Sequence, residues 1–145
     1  MAPVEWVARL FFLANTRNPQ ALQEMVNATR STADVQRFFP VNAVSAIVMR
    51  GSAAQGELCE WLVNRLDTEA RPVAEEYVVP GSNNGVVRLF VPAIPPTPQA
   101  LQELTNQVRL ESQSQRVYPV TSKAAVTFRG TAAQAAIAER VVRER

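Results

Sequence analysis

The sequence predicts an α+β fold: two helices packed on one face of a small mixed sheet, made by a β-α-β-β-α unit that occurs twice. Three observations lead there. The chain matches itself without a gap at a single offset, the one that lays Pro19 on Pro98. Each copy alternates short branched or aromatic runs with longer segments whose apolar residues recur at helical spacing. Proline, glycine and hydroxyl residues punctuate both copies at the same places.

The register is set by several separate blocks. Arg9-Leu10-Phe11 falls on Arg88-Leu89-Phe90, and Pro19-Gln20-Ala21-Leu22-Gln23-Glu24 on Pro98-Gln99-Ala100-Leu101-Gln102-Glu103. Arg37 falls on Arg116, Pro40-Val41 on Pro119-Val120, and Glu60 on Glu139. Arg50-Gly51-Ser52-Ala53-Ala54-Gln55 falls on Arg129-Gly130-Thr131-Ala132-Ala133-Gln134. Chance does not place so many blocks in one register. A position apolar in both copies then reads as core, and one that drifts to polar reads as surface.

The first strand, Val7 to Ala14 and again Val86 to Ala93, is apolar on both faces, which predicts a central, covered strand. The first helix opens with Asn18 or Thr97 as N-cap and Pro19 or Pro98 at its first position, where a missing amide is harmless. Leu22, Met25, Val26 and Thr29 share one helical face, as do Leu101, Leu104, Thr105 and Val108. The second strand runs from Val35 to Val41 and from Ser114 to Val120. Its late prolines, Pro40 and Pro119, favour a sheet edge.

A turn at Asn42 to Ser45 leads to the third strand. There Ile47 and Met49 match Val126 and Phe128 and mark the core face, while Val48, matched by Thr127, marks the wetter one. Gly51 makes the turn into the second helix. Ser52 with Gln55, and Thr131 with Gln134, have the spacing of a capping box. Leu58, Leu62 and Leu66 form the buried stripe, matched by Ile137, Val141 and Arg145. Between the copies, Glu76-Tyr77-Val78-Val79 is strand-like and Pro80 to Gly85 is a dense turn signal. That predicts an extra hairpin strand before copy two. In copy one only Ala2 to Glu5 occupies the equivalent place.

The organisation that follows is a first repeat at 1–67, a connecting segment with an edge strand and turn at 68–85, and a second repeat at 86–145. Units of about 60 residues are marginal alone, which favours shared burial between them.

Composition limits the function. Fifteen basic residues against thirteen acidic ones give a net charge of +2, a mixed surface that does not make nucleic acid or an anionic membrane a default partner. The sequence contains no histidine, so the commonest general base and metal ligand is missing. Two aspartates, Asp34 and Asp67, lie far apart, and no carboxylate spacing signals a metal. Cys59 is the single cysteine, which excludes an intrachain disulfide and predicts a small core residue. No enzyme, cofactor, metal or small-molecule substrate is expected. No apolar run reaches the ~18 residues of a membrane span. The start, Met1-Ala2-Pro3-Val4-Glu5-Trp6, is no signal peptide. A cytoplasmic chain and the mature part of an exported one both fit it.

Three features remain as candidate interaction residues. Arg9, Arg37 and Arg50 recur as Arg88, Arg116 and Arg129, all on strands, and could form one basic stripe across an open sheet face. The plainer account is solvated residues that guard the sheet against edge association. Arg50-Gly51-Ser52 and Arg129-Gly130-Thr131 precede capped helices and could hold a phosphate, but turn and cap chemistry explain them without one. Trp61 is matched by Arg140, so its site is either covered by the other repeat or open to a partner. Cover within the chain is the expectation, with Trp61→Ala then costing about 3 kcal/mol or more.

Each unit resembles the small repeated N-terminal domain of bacterial secretins. The pattern lies in the helix Pro19 to Arg30, then Val35-Gln36-Arg37-Phe38-Phe39-Pro40-Val41, then Ala46-Ile47-Val48-Met49-Arg50-Gly51-Ser52, and a closing Leu66-Asp67. The chain is also similar to acidobacterial-type envelope proteins built from this unit. It departs from the secretin pattern at Val44 and Lys123, where an Asn is usual. The resemblance implies a non-catalytic protein-protein interaction or assembly module, a periplasmic or envelope location, and a protein partner or self-association by side-by-side packing. It does not imply a pore. The alternative is a KH-like nucleic-acid-binding module, which shares element order but needs a Gly-x-x-Gly loop that this chain lacks.

Overall fold

Asn18 starts the first helix as the spacing predicts: its side chain accepts from the amides of Gln20 and Ala21, and Pro19 follows. In the computed structural model, which describes residues 6–68, 74–79, 85–92 and 94–144, the chain divides into two compact units, Met1–Glu69 and Ala70–Arg145. The first holds β1 (Trp6–Phe12), α1 (Pro19–Ala33), β2 (Arg37–Val41), β3 (Ala46–Ser52) and α2 (Ala53–Asp67). The second holds β4 (Ala74–Val78), β5 (Val86–Phe90), α3 (Pro98–Ser112), β6 (Arg116–Val120), β7 (Ala125–Gly130) and α4 (Ala132–Arg143). The fold is α+β, and α1, β2, β3 and α2 begin at the positions that the repeat register matches to the starts of α3, β6, β7 and α4.

The correspondence extends to backbone detail. Asp34 and Gln113 end the first helix of each unit with φ of 62° and 60°. Ser45 and Ala124 close a single 3₁₀ turn before the third strand with φ of 50° and 49°. These left-handed residues reverse the chain without glycine, at a steric cost of about 1 kcal/mol each.

Strand order is β1-β3-β2 in the first sheet and β4-β5-β7-β6 in the second. Two expectations are corrected here. The sheets are not mixed: every described pair is antiparallel. β1 and β2 do run in the same direction, but β3 lies between them and opposes both. β3 is thus central, and β1, with no described strand on its other side, is an edge among the described residues, whereas its counterpart β5 lies between β4 and β7 and is central as expected. Pro40 and Pro119 lie on β2 and β6, which are edges, so the ladder loses no donor on their account. The extra strand before copy two is β4, and the Val79 amide donates to the Gly85 carbonyl at 2.7 Å across the turn. The turn tip at 80–84 and the segment 2–5 lie outside the described residues.

Each core sits between sheet and helices. In the first unit Leu22, Met25, Val26, Phe38, Ile47 and Leu62 are buried, with the rings of Phe11 and Phe38 at 6.5 Å. In the second, Phe90, Leu101, Val108, Val126, Phe128 and Val141 form one cluster, with Phe90 and Phe128 at 6.3 Å. Arg30 and Arg109 repeat one tie from helix to sheet, donating to the carbonyls of Phe38 and Val117.

Both capping boxes are present. Ser52 Oγ accepts from the Gln55 amide at 3.1 Å and Gln55 Oε1 from the Ser52 amide at 2.9 Å. Thr131 and Gln134 repeat these bonds at the same distances. Ser52→Ala and Thr131→Ala should each cost about 1 kcal/mol, read as a lower denaturant midpoint with an unchanged slope.

Candidate interaction surface

Alternation along the first sheet decides what is offered to solvent. On β1, Val7, Arg9 and Phe11 face the helices, which leaves Trp6, Ala8, Leu10 and Phe12 on the outer face. On β3, Ile47 and Met49 are buried while Val48 and Arg50 face outward. On β2, Phe38 faces the core and Arg37, Phe39 and Val41 face out. Register joins these into one patch, because Leu10 and Phe39 stand directly opposite Val48 on its two sides. Phe12, Trp6, Leu10 and Phe39 are 69%, 63%, 52% and 51% exposed, far more than scattered surface residues need. The Arg30 guanidinium lies over the Phe39 ring, 5.6 Å from its centre.

The second sheet differs on its corresponding face. Leu89, the counterpart of Leu10, is 1% exposed, and Val87 and Thr127 are buried. The expectation that the Val48 and Thr127 face is the wetter one therefore holds for Val48 and fails for Thr127.

Within each unit the three arginines do not share one face. Arg37 and Arg50 stand opposite each other on the outer face of the first sheet, and Arg116 and Arg129 are paired the same way in the second. Neither Arg37 nor Arg50 makes an ion pair among the described residues, and both are exposed. Arg129 is only 9% exposed. Arg9 and Arg88 point the other way, toward α2 and α4, because they sit one residue out of phase with the outer positions. Arg9 pairs with Glu60 of α2. Arg88 lies between Glu139 of α4 at 3.5 Å and Glu76 of β4 at 3.6 Å. The sequence comparison matched Glu60 to Glu139 without assigning them this role.

Trp61 is half-buried on α2, in a shallow cleft with Arg9, Glu57, Glu60, Asn64 and Arg65. A second groove runs along β1, lined by Arg9, Leu10, Phe11, Phe12, Glu60 and Asn64. Neither Gly51 nor Gly130 takes up left-handed backbone. Their missing Cβ instead leaves room for the capping glutamine, whose Oε1 would lie 2.6 Å from such an atom in both units.

Cys59 is fully buried in the first core. Burial pushes its thiol up to about 12, against a smaller downward pull from the Arg9 guanidinium. The thiolate is the reactive form, so Cys59 should resist alkylation in the native protein at neutral pH and react promptly once denatured. Mass spectrometry of iodoacetamide-treated protein checks this. Among the described residues no group of three or more His, Cys, Asp or Glu could hold a metal, and no helix is long and apolar enough to cross a membrane.

No protein-family model matches the chain, and no curated protein matches it. Among solved structures it is similar to the N-terminal domain of the secretin XcpQ from Pseudomonas aeruginosa, at 12% identity and a TM-score of 0.41, over 99% of this chain and 63% of that one. A dimeric cysteine mutant of the same domain is similar at 12% identity and a TM-score of 0.40, over 96% of this chain and 61% of that one. The chain thus spans less than two thirds of the length of each.

Proposed function

We propose that this chain is a non-catalytic protein-interaction module of the bacterial cell envelope, two β-α-β-β-α domains of secretin N-terminal type in tandem. The observation that carries the interaction reading is the outer face of the first sheet. Trp6, Leu10, Phe12 and Phe39 are held in register on rigid strands and left exposed. Aromatic residues beside arginine are the composition that recurs at protein-protein contacts. The envelope location and the domain type rest on the sequence resemblance set out above.

Photo-crosslinking in the native cell tests this reading. A photoreactive residue at Phe12 or Phe39 should give protein adducts, with itself or with another chain, and one at the helix surface position Glu57 should not. Adducts must also be lost on Leu10→Ser with Phe39→Ser, provided the denaturant midpoint is unchanged. Equal labelling at all three positions would sink the proposal. So would tight binding to single-stranded RNA or DNA with a steep dependence on salt.

A further inference from the structure

We propose that the edge of β1 to which no described strand is paired accepts an extended strand from another protein, antiparallel to β1 and carrying a carboxylate opposite Arg9. The inference rests on the interaction-module reading, but it concerns the edge of the first sheet instead of its outer face.

The second unit contains the template. There β4 adds to β5 antiparallel, pairing Ala74 with Phe90, Glu76 with Arg88 and Val78 with Val86. β5 corresponds to β1, and the first sheet has no fourth strand among the described residues. A strand edge presents unpaired amides and carbonyls, which a guest strand can satisfy. Moved back by the repeat offset, the β4 pairing places a small residue opposite Phe11, an acid opposite Arg9 and a branched aliphatic opposite Val7.

Charge selects the guest. Arg88 is held between two carboxylates, Glu139 on the helix and Glu76 on the added strand, and its side chain is 17% exposed. Among the described residues Arg9 has the helix carboxylate alone, Glu60, and is 33% exposed. Among the described residues the first unit is one carboxylate short of the second, at the position a guest strand would fill. A guanidinium has donor nitrogens enough to face two carboxylates at once, and at 3.5 and 3.6 Å those of Arg88 meet both as ion pairs. The groove between β1 and α2, floored by Arg9 and walled by Glu60 and Asn64, leaves the approach open.

The probe is a peptide with the sequence Ala-Glu-Glu-Tyr-Val-Val of residues 74–79, added to the isotope-labelled full chain. Amide shifts and slowed hydrogen exchange should appear along Val7 to Phe11. A peptide with lysine in place of Glu76 should bind roughly tenfold more weakly. The paired exchange Arg9→Glu with Glu60→Arg keeps the intramolecular pair and should reverse that preference. Four results would overturn the proposal: no change at β1 at the highest soluble peptide concentration, changes confined to the β4 edge, binding indifferent to the charge reversal, or a β1 edge already occupied by a second copy in sedimentation. Failure here leaves crosslinking at Phe12 and Phe39 untouched, so it is distinguishable from failure of the interaction-module reading.

Discussion

Gly130→Ala is expected to destabilise the second unit by about 3 kcal/mol, roughly the sum of an overpacked core and a lost cap. An added Cβ would lie 2.6 Å from Gln134 Oε1 and 2.8 Å from Cζ of Phe128. The glutamine can swing away, but it then gives up its bond to the Thr131 amide and its 3.4 Å reach to the Gln113 carbonyl. Phe128 cannot swing away, since it is fully buried against Phe90. Gly51→Ala meets the same glutamine at 2.6 Å, yet its second neighbour is the flexible thioether end of Met49 at 3.1 Å. Its cost should be about half as large, because a methionine repacks more readily than a ring. Equilibrium denaturation of both variants separates the effects. Equal losses would mean that displacing the glutamine is the whole cost and that the Phe128 ring yields.

These glycines show what was legible in the sequence and what was not. Cap chemistry acts over three residues, so Ser52 with Gln55 and Thr131 with Gln134 could be read from spacing, and both boxes are present. The buried helical faces were equally readable, since 3.6-residue periodicity is local. The reason for Gly51 was not, because the atom it makes room for belongs to a side chain that folds back from the next turn. Strand order lay further out of reach. β1 is apolar on both faces, and that pattern alone cannot separate a covered central strand from an edge strand with a sticky outer face. What decides it is whether a further strand pairs beyond it: β4 does so beside β5, and no described strand does so beside β1. The arginines failed as a stripe for a related reason. Arg9 is an odd-numbered position on a strand whose even positions face out, and relative phase between strands is fixed by register, not by composition. Trp61 is half-buried, so truncating it should cost less than the loss of about 3 kcal/mol expected of a core residue.

Asp67→Ala should cost the first unit about 2 kcal/mol, although the residue sits at a helix end and not in the core. Its carboxylate accepts from the amides of Ala14 and Asn15 at 2.8 and 3.0 Å and from the Thr16 hydroxyl at 2.8 Å. In return the Asn15 side chain donates to the Asp67 carbonyl at 2.8 Å. One residue thus ties the last turn of α2 to the loop that leaves β1, across more than fifty positions of sequence. Water can replace the carboxylate at the two exposed amides, which limits the loss there. It cannot do so easily at Thr16, which is 2% exposed and would keep a buried hydroxyl without its acceptor. Asp67→Asn retains one acceptor oxygen without the charge and should lose about half as much. Both tryptophans, Trp6 and Trp61, belong to the first unit, so tryptophan emission during denaturation follows the affected unit. The exchange of the Leu13 amide, bonded to the Ser45 carbonyl at 2.9 Å, should quicken as the loop loosens. An unchanged midpoint would show that the loop holds its place through β1 alone.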